Sequence, residues 1–178
     1  MKNFCISLIC LSIIVLTIVL GAEAPKAKEE YLRIHVRANS NDERDQSVKY
    51  AVRDGITEYL TPIVAECKSK EALQNALNQH ICGIEAVAEE VLFERGFDYG
   101  CSARVTVEQF PTRVYGDLTL EAGYYDALII ELGEGEGNNW WCVVYPPLCF
   151  VGNGTGESFR YKSVIAEMIS VWREKHGK

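Results

Sequence analysis

Seven cysteines and three histidines are the side chains of this chain best suited to covalent or metal chemistry. Their spacing argues against most of it. Cys5 and Cys10 lie in an apolar N-terminal run, which leaves Cys67, Cys82, Cys101, Cys142 and Cys149. That remainder is odd, so at least one thiol is free or pairs between chains. No Cys-x-x-Cys occurs, and thiol exchange normally uses one. His35, His80 and His176 show no His-x-x-x-His or His-Glu-x-x-His spacing, so no zinc site is predicted. A Cys/His hydrolase would need Cys142 or Cys149 as nucleophile and His35 as base. Trp141 and Val143 flank Cys142, and an apolar setting raises a thiol pKa when a nucleophile needs it lowered. The run Gly133-Glu134-Gly135-Glu136-Gly137 has the glycines of a phosphate loop but no Gly-Lys-Ser/Thr ending, and its carboxylates repel phosphate. It reads as a loop joining adjacent strands. The sequence therefore predicts no catalytic residue, no metal and no cofactor.

Recognition chemistry is better represented. Residues 138–150, NNWWCVVYPPLCF, combine paired tryptophans, two cysteines and a double proline. Large aromatic rings carry the greatest burial energies, and the prolines fix the path of the chain. Tryptophan, tyrosine and arginine are also the residues that dominate binding hot spots. Arg113, Tyr115, Trp140, Trp141, Pro146 and Pro147 are the candidate partner-binding residues. Strand alternation places Trp140 and Trp141 on opposite faces. Core packing is the competing reading for Trp141, Phe110 and Phe150. An exposed recognition patch is the reading for Arg113, Tyr115 and Trp140. Cys142 and Cys149 could bridge across Pro146-Pro147 if their Cα atoms come within about 7 Å; two buried thiols are the alternative.

These residues need elements to position them. Leu32, Ile34 and Val36 alternate with Arg33, His35 and Arg37, the period of a half-buried strand. On that pattern His35 is a solvated or interface histidine. Ser40 and Glu43 fit a capping box, and Val48, Val52, Ile56, Leu60 and Ile63 recur at helical spacing until Pro62 ends or kinks the run. Ser69 caps a second helical pattern that Gly83 divides and Gly96 terminates. Tyr99, Cys101, Ala103, Val105 and Val107 give another strand, broken at Phe110-Pro111-Thr112. Residues 118–120 and 124–132 read as a hairpin around Glu121-Ala122-Gly123, and residues 140–145 as the last strand. Beyond the glycine-rich residues 152–156, Ser158 caps a final helix. Helices followed by a run of strands predict an α+β fold: a mainly antiparallel sheet of about four to five strands, helices packed on one face, and a C-terminal helix.

The ends and the charge set the address. Residues 4–20 are apolar, Lys2 precedes them, and Ala22-x-Ala24 is a small-residue cleavage pattern. Residues 1–24 are predicted to be a signal peptide or membrane anchor, and residues 25–30 a charged linker. The formal net charge of −7 and the absence of a basic stripe argue against nucleic acid. The only predicted membrane contact is through the N-terminal segment. Asn153-Gly154-Thr155 fits an N-glycosylation pattern, which by itself assigns no function.

Read together, LRIHVRANS (residues 32–40), FPTRVYG (110–116), EAGYYDAL (121–128), GEGEGNN and NNWWCVVYPPLCF resemble stage II sporulation protein R of endospore-forming bacteria. The resemblance covers about residues 31–150, which sets a domain at 31–151 and a separate glycine-rich segment and helix at 152–178. It implies a protein exported from the forespore into the intermembrane space, possessing no enzymatic activity. There it would trigger a membrane-embedded aspartic protease of the mother cell, which cleaves the precursor of an early sporulation sigma factor. The competing expectations are a secreted Cys-dependent hydrolase or cell-wall enzyme, and a membrane-tethered structural protein of the engulfment apparatus.

Overall fold

A computed structural model of the protein describes residues 27–28, 30–115 and 118–147. The predicted signal segment, Cys149, His176 and the predicted C-terminal helix lie outside the described residues.

The strand of alternating apolar and charged residues is β1 (Leu32–Arg37). Three helices follow: α1 (Glu43–Glu66), α2 (Lys70–Gln79) and α3 (Ile81–Glu94). Then come β2 (Cys101–Phe110), β3 (Arg113–Tyr115), β4 (Leu118–Leu120), β5 (Gly123–Leu132) and β6 (Asn139–Tyr145). The main sheet has the order β2-β5-β1-β6. β1 runs parallel to β5 and antiparallel to β6, and β2 runs antiparallel to β5. The fold is α+β with a mainly antiparallel four-stranded sheet. Its apolar core lies between the helices and one sheet face, where Leu32, Ile34, Val36, Leu128, Ile130, Cys142 and Val144 meet Val52, Ile56, Leu60, Leu77 and Ile84. Among the described residues no helix is long and apolar enough to cross a membrane.

Several local expectations are corrected. α1 continues through Pro62 to Glu66. Pro62 removes one backbone donor, but Leu60 and Val64 on either side of it are buried in the core, and that packing holds the last turn. The N-cap of α1 is Asp42, without a side-chain cap bond. Ser40 instead accepts from the Asp42 N–H at 3.1 Å. Ser69 does cap α2, accepting from the Ala72 N–H. The break between α2 and α3 falls at His80 rather than Gly83; His80 Nδ1 lies 2.8 Å from the Tyr59 hydroxyl.

The predicted hairpin of residues 118–120 with 124–132 is also corrected. β4 pairs with β3, with Arg113 opposite Leu120 and Tyr115 opposite Leu118. β5 pairs instead with β2 along ten residues, from Cys101–Leu132 to Phe110–Gly123. The longer ladder wins because it buries more surface, and β3–β4 becomes a small excursion in the β2–β5 connection. The glycine-rich loop does not join adjacent strands, since β1 lies between β5 and β6. It passes over the end of β1, where Gly137 N–H donates to Ala38 O and Glu136 N–H to Asn39 O.

Candidate recognition surface

The sheet face away from the helices carries the unexpected chemistry. Alternation sends Arg33, His35 and Arg37 to this face, opposite Ile34 and Val36. The alternation alone reads as the open face of a half-buried strand, with His35 solvated or at an interface. The structure buries it: Arg33 is 0 % and His35 4 % exposed. Their neighbours on this face include Trp141 of β6, Ala127, Ile129 and Glu131 of β5, and Glu108 and Phe110 of β2. Phe110, Tyr125, Ala127 and Ile129 form a second apolar cluster, with Tyr31 and Trp141 against it.

The charged end of this face is matched. Glu108 lies 3.1 Å from His35 Nδ1 and accepts from Arg37 at 2.5 Å. Glu131 accepts from both Arg37 and Arg104. The Arg104 hydrogen bond, with the charges of Arg104 and Arg37, holds the Glu131 carboxyl below its usual range despite partial burial. Burial pushes the His35 imidazole below its ordinary value, and Glu108 and Asn139 only partly reverse this. His35 also stacks on Trp141, with ring centroids 5.3 Å apart and planes inclined at 26°.

The other end is aromatic and cationic. The Arg33 guanidinium lies 4.2 Å from the centroid of Phe110, 4.9 Å from Tyr125 and 5.9 Å from Tyr115. Its Nη2 donates to the Tyr115 hydroxyl at 2.8 Å. Burial raises the pKa of that phenol, against the opposing charge of Arg33. Arg113 stacks on Trp141 at 3.9 Å. The small β3–β4 ribbon thus reaches the sheet through Arg113 and Tyr115, and stacking of this kind contributes about 0.5–2 kcal/mol per contact.

Arg113, Tyr115 and Trp141 are therefore brought together, all half-buried. Trp140 is not with them. It packs against the helix-side core, with Arg53 at 5.5 Å from its ring and Arg53 also 5.0 Å from Tyr50. Pro146 is exposed and Pro147 half-buried just past the end of β6, after a cis Tyr145–Pro146 bond. Arg33, His35 and Glu108 are the members that sequence reading missed. The signal for Arg33 and His35 is the charged half of the β1 alternation, whereas Glu108 sits on β2 and has no comparable local signal.

Cys142 is 1 % exposed and lies on the helix side, paired with Ile34. His35 points to the other face. The alternative hydrolase pairing of Cys142 with His35 is thus ruled out by strand geometry. Among the described residues no group of three or more His, Cys, Asp or Glu is placed to hold a metal ion.

A second constellation explains two sequence motifs at once. Asn39 accepts from the Glu134 N–H and donates to Asp45; Asn41 accepts from the Asn138 N–H. Lys49, buried, donates to Asn138 O at 2.9 Å and Gln46 Oε1 at 2.7 Å. Tyr99 donates to Asp45 at 2.7 Å. Burial would raise the Asp45 pKa, but hydrogen bonds with Ser40, Tyr99 and Asn39 outweigh it and hold the carboxyl low. The segment after β1 and the glycine-rich loop lock together around this network, a structural role.

Residues 28–155 match the stage II sporulation protein R family. The chain is 34% identical over 132 residues to stage II sporulation protein R of Bacillus subtilis (strain 168). That alignment covers 74% of this chain and 59% of the relative, so the chain spans little more than half of the relative's length. No solved structure matches. With a family match across most of its length, and with the matching motifs forming both the buried face and the loop lock, the chain belongs to the stage II sporulation protein R family.

Proposed function

We propose that this chain is an exported signalling protein of sporulation. It leaves the forespore through its N-terminal segment, enters the intermembrane space and activates a membrane-embedded aspartic protease of the mother cell. That protease then processes the precursor of an early sporulation sigma factor. The chain itself performs no catalysis in this reading. Membership of the sporulation family is the observation that carries it. The stacked pair Arg113 and Trp141 fits a binding role, since arginine and tryptophan concentrate interface energy. To activate, the chain must bind the active state of the protease more tightly than the inactive one; equal binding shifts nothing. A Cys142–Cys149 bridge, formed after export, belongs to the same reading and would brace the Pro146-Pro147 turn.

The test is co-expression of this chain, the protease and the sigma-factor precursor in a non-sporulating host. Cleavage that requires this chain, and requires its export, is the expected result. Export of folded protein without cleavage would sink the proposal.

A further inference from the structure

Among the described residues, Arg33 is a buried cation without a counter-charge. Its side chain is 0 % exposed, yet among the described residues no carboxylate forms an ion pair with it. The carboxylates of its own face are committed elsewhere: Glu108 to His35 and Arg37, Glu131 to Arg37 and Arg104. Its one hydrogen bond goes to a neutral phenol, Tyr115. Arg33 Nε and Nη1 are buried without a partner, and so is Nε of Arg113. A guanidinium stays charged in proteins, so it cannot escape the burial penalty by losing a proton. Three ring faces offset part of that penalty, but they leave the N–H donors unused. In a chain of net charge −7, two arginines on this face that form no ion pair among the described residues make a local positive site.

We propose that Arg33, with Arg113 and Tyr115, forms a binding site for a carboxylate group presented by a polypeptide partner. The planar donors of a guanidinium suit the two oxygens of a carboxylate. The walls, Phe110, Tyr125 and Trp141, favour a monoanion, because a doubly charged phosphate loses far more hydration on entering an aromatic site. Arg33 is fully buried, so access would require the β3–β4 ribbon to lift. Each of its strands is three residues long, and a two-stranded ribbon depends on packing for its stability. Two of the contacts that hold it down, Arg33 to Tyr115 and Arg113 to Trp141, involve the same groups that would grip the anion. Entry of a carboxylate therefore exchanges the Tyr115 hydrogen bond for a charge-assisted one. The inference shares with the proposed function only the assumption of a polypeptide partner, and its binding step is measured without it.

The experiment titrates the full chain with acetate, with N-acetyl-glutamic acid α-amide (a side-chain carboxylate) and with N-acetyl-alanine (a terminal one). Chloride and phosphate at matched ionic strength are the controls. The readouts are tryptophan fluorescence, the thermal midpoint and the arginine Nε–H signals by NMR. The expected result is a saturable response to carboxylates, led by Arg33, and weaker by at least about tenfold in Arg33→Met. The stronger of the two amino-acid probes identifies the kind of carboxylate. Arg33→Met is expected to fold, because an apolar side chain of similar length replaces an unpaired charge. Should it not fold, the wild-type Arg33 signals and Arg113→Gln decide. No saturable response, a response matched by chloride, a preference for phosphate, or full binding in folded Arg33→Met would each overturn the site. Carboxylate binding without precursor cleavage in the co-expression assay would overturn the proposed function and leave the site standing. Full precursor cleavage with Arg33→Met would overturn the role of the site in contacting that partner.

Discussion

Cys142 and His35 stand on opposite faces of one sheet: in the β1–β6 register Cys142 pairs with Ile34, and His35 with Trp141. No thiolate–imidazole pair can form between them without inverting a strand. Cys142→Ala should therefore leave precursor cleavage intact wherever the variant folds. A bridge from Cys142 to Cys149 would show instead as a stability loss of about 2–4 kcal/mol in denaturant unfolding. A fall in activity by orders of magnitude at unchanged stability would restore the hydrolase reading.

The cysteines outside β6 differ in reactivity. Cys82 is exposed and Cys101 is half-buried. Burial, with the nearby carboxylates of Glu85, Glu89 and Glu131, pushes the Cys101 thiol up to about 12. Thiolate is the reacting form. Iodoacetamide at mildly alkaline pH should label Cys82 at least about a hundredfold faster than Cys101, read by peptide mass spectrometry. Comparable rates in the folded protein would show that the β2 edge opens readily.

Gly137 lies where the glycine-rich loop crosses the segment after β1. A Cβ there would stand 2.1 Å from the Ser40 carbonyl oxygen, and backbone cannot give way cheaply. Gly137→Ala should destabilise by about 1–3 kcal/mol in urea unfolding. Gly100→Ala is the control: its Cβ would meet only Glu89 Oε1 at 3.5 Å. That variant should be neutral or stabilised by up to about 1 kcal/mol. Equal effects would mean that the loop is not locked.

Periodicity carried much of this fold into view. The β1 alternation, the Ser69 cap and the apolar rows of the helices are local signals, and local physics reads them correctly. Strand pairing is not local. Nothing in residues 118–120 says that they pair backwards with 113–115 rather than forwards with 124–132; the ten-residue β2–β5 ladder decides it. The error carried over to the site. Without the ribbon as a cover, Arg33 reads as part of the open face of a half-buried strand, and His35 as solvated or at an interface. Arg113, Tyr115 and Trp141 were legible by residue type alone. That Trp140 faces the helices and Trp141 the ribbon required the register.

His35 gives the fold a pH dependence of definite sign. Burial lowers its pKa from the ordinary value of 6.5. Above that value both folded and unfolded chains hold it neutral, and its contribution is fully present. As pH falls below about 6.5, the unfolded chain takes up a proton that the folded chain resists, so stability is lost until the folded pKa is passed. His35→Gln removes the titrating group. Its stability curve should be flatter than the wild type's between about pH 6.5 and 5, measured by urea unfolding at fixed salt. Parallel curves would place the acid sensitivity elsewhere.

The two tryptophans provide a test of which sheet face meets the partner. Arg113 stacks on Trp141 at 3.9 Å on the ribbon side, whereas Arg53 lies 5.5 Å from Trp140 on the helix side. Each arginine is partly exposed, so removing either should cost no more than about 1 kcal/mol of stability. Arg113→Ala should nevertheless reduce precursor cleavage strongly, because it strips a cationic group from the proposed contact face. Arg53→Ala should leave cleavage close to wild type. The comparison is informative because both variants remove the same charge and the same kind of stacking, on opposite faces of adjacent positions in β6. If Arg53→Ala is the damaging one, the partner reads the helix face around Tyr50 and Trp140, and the buried ribbon face is purely structural.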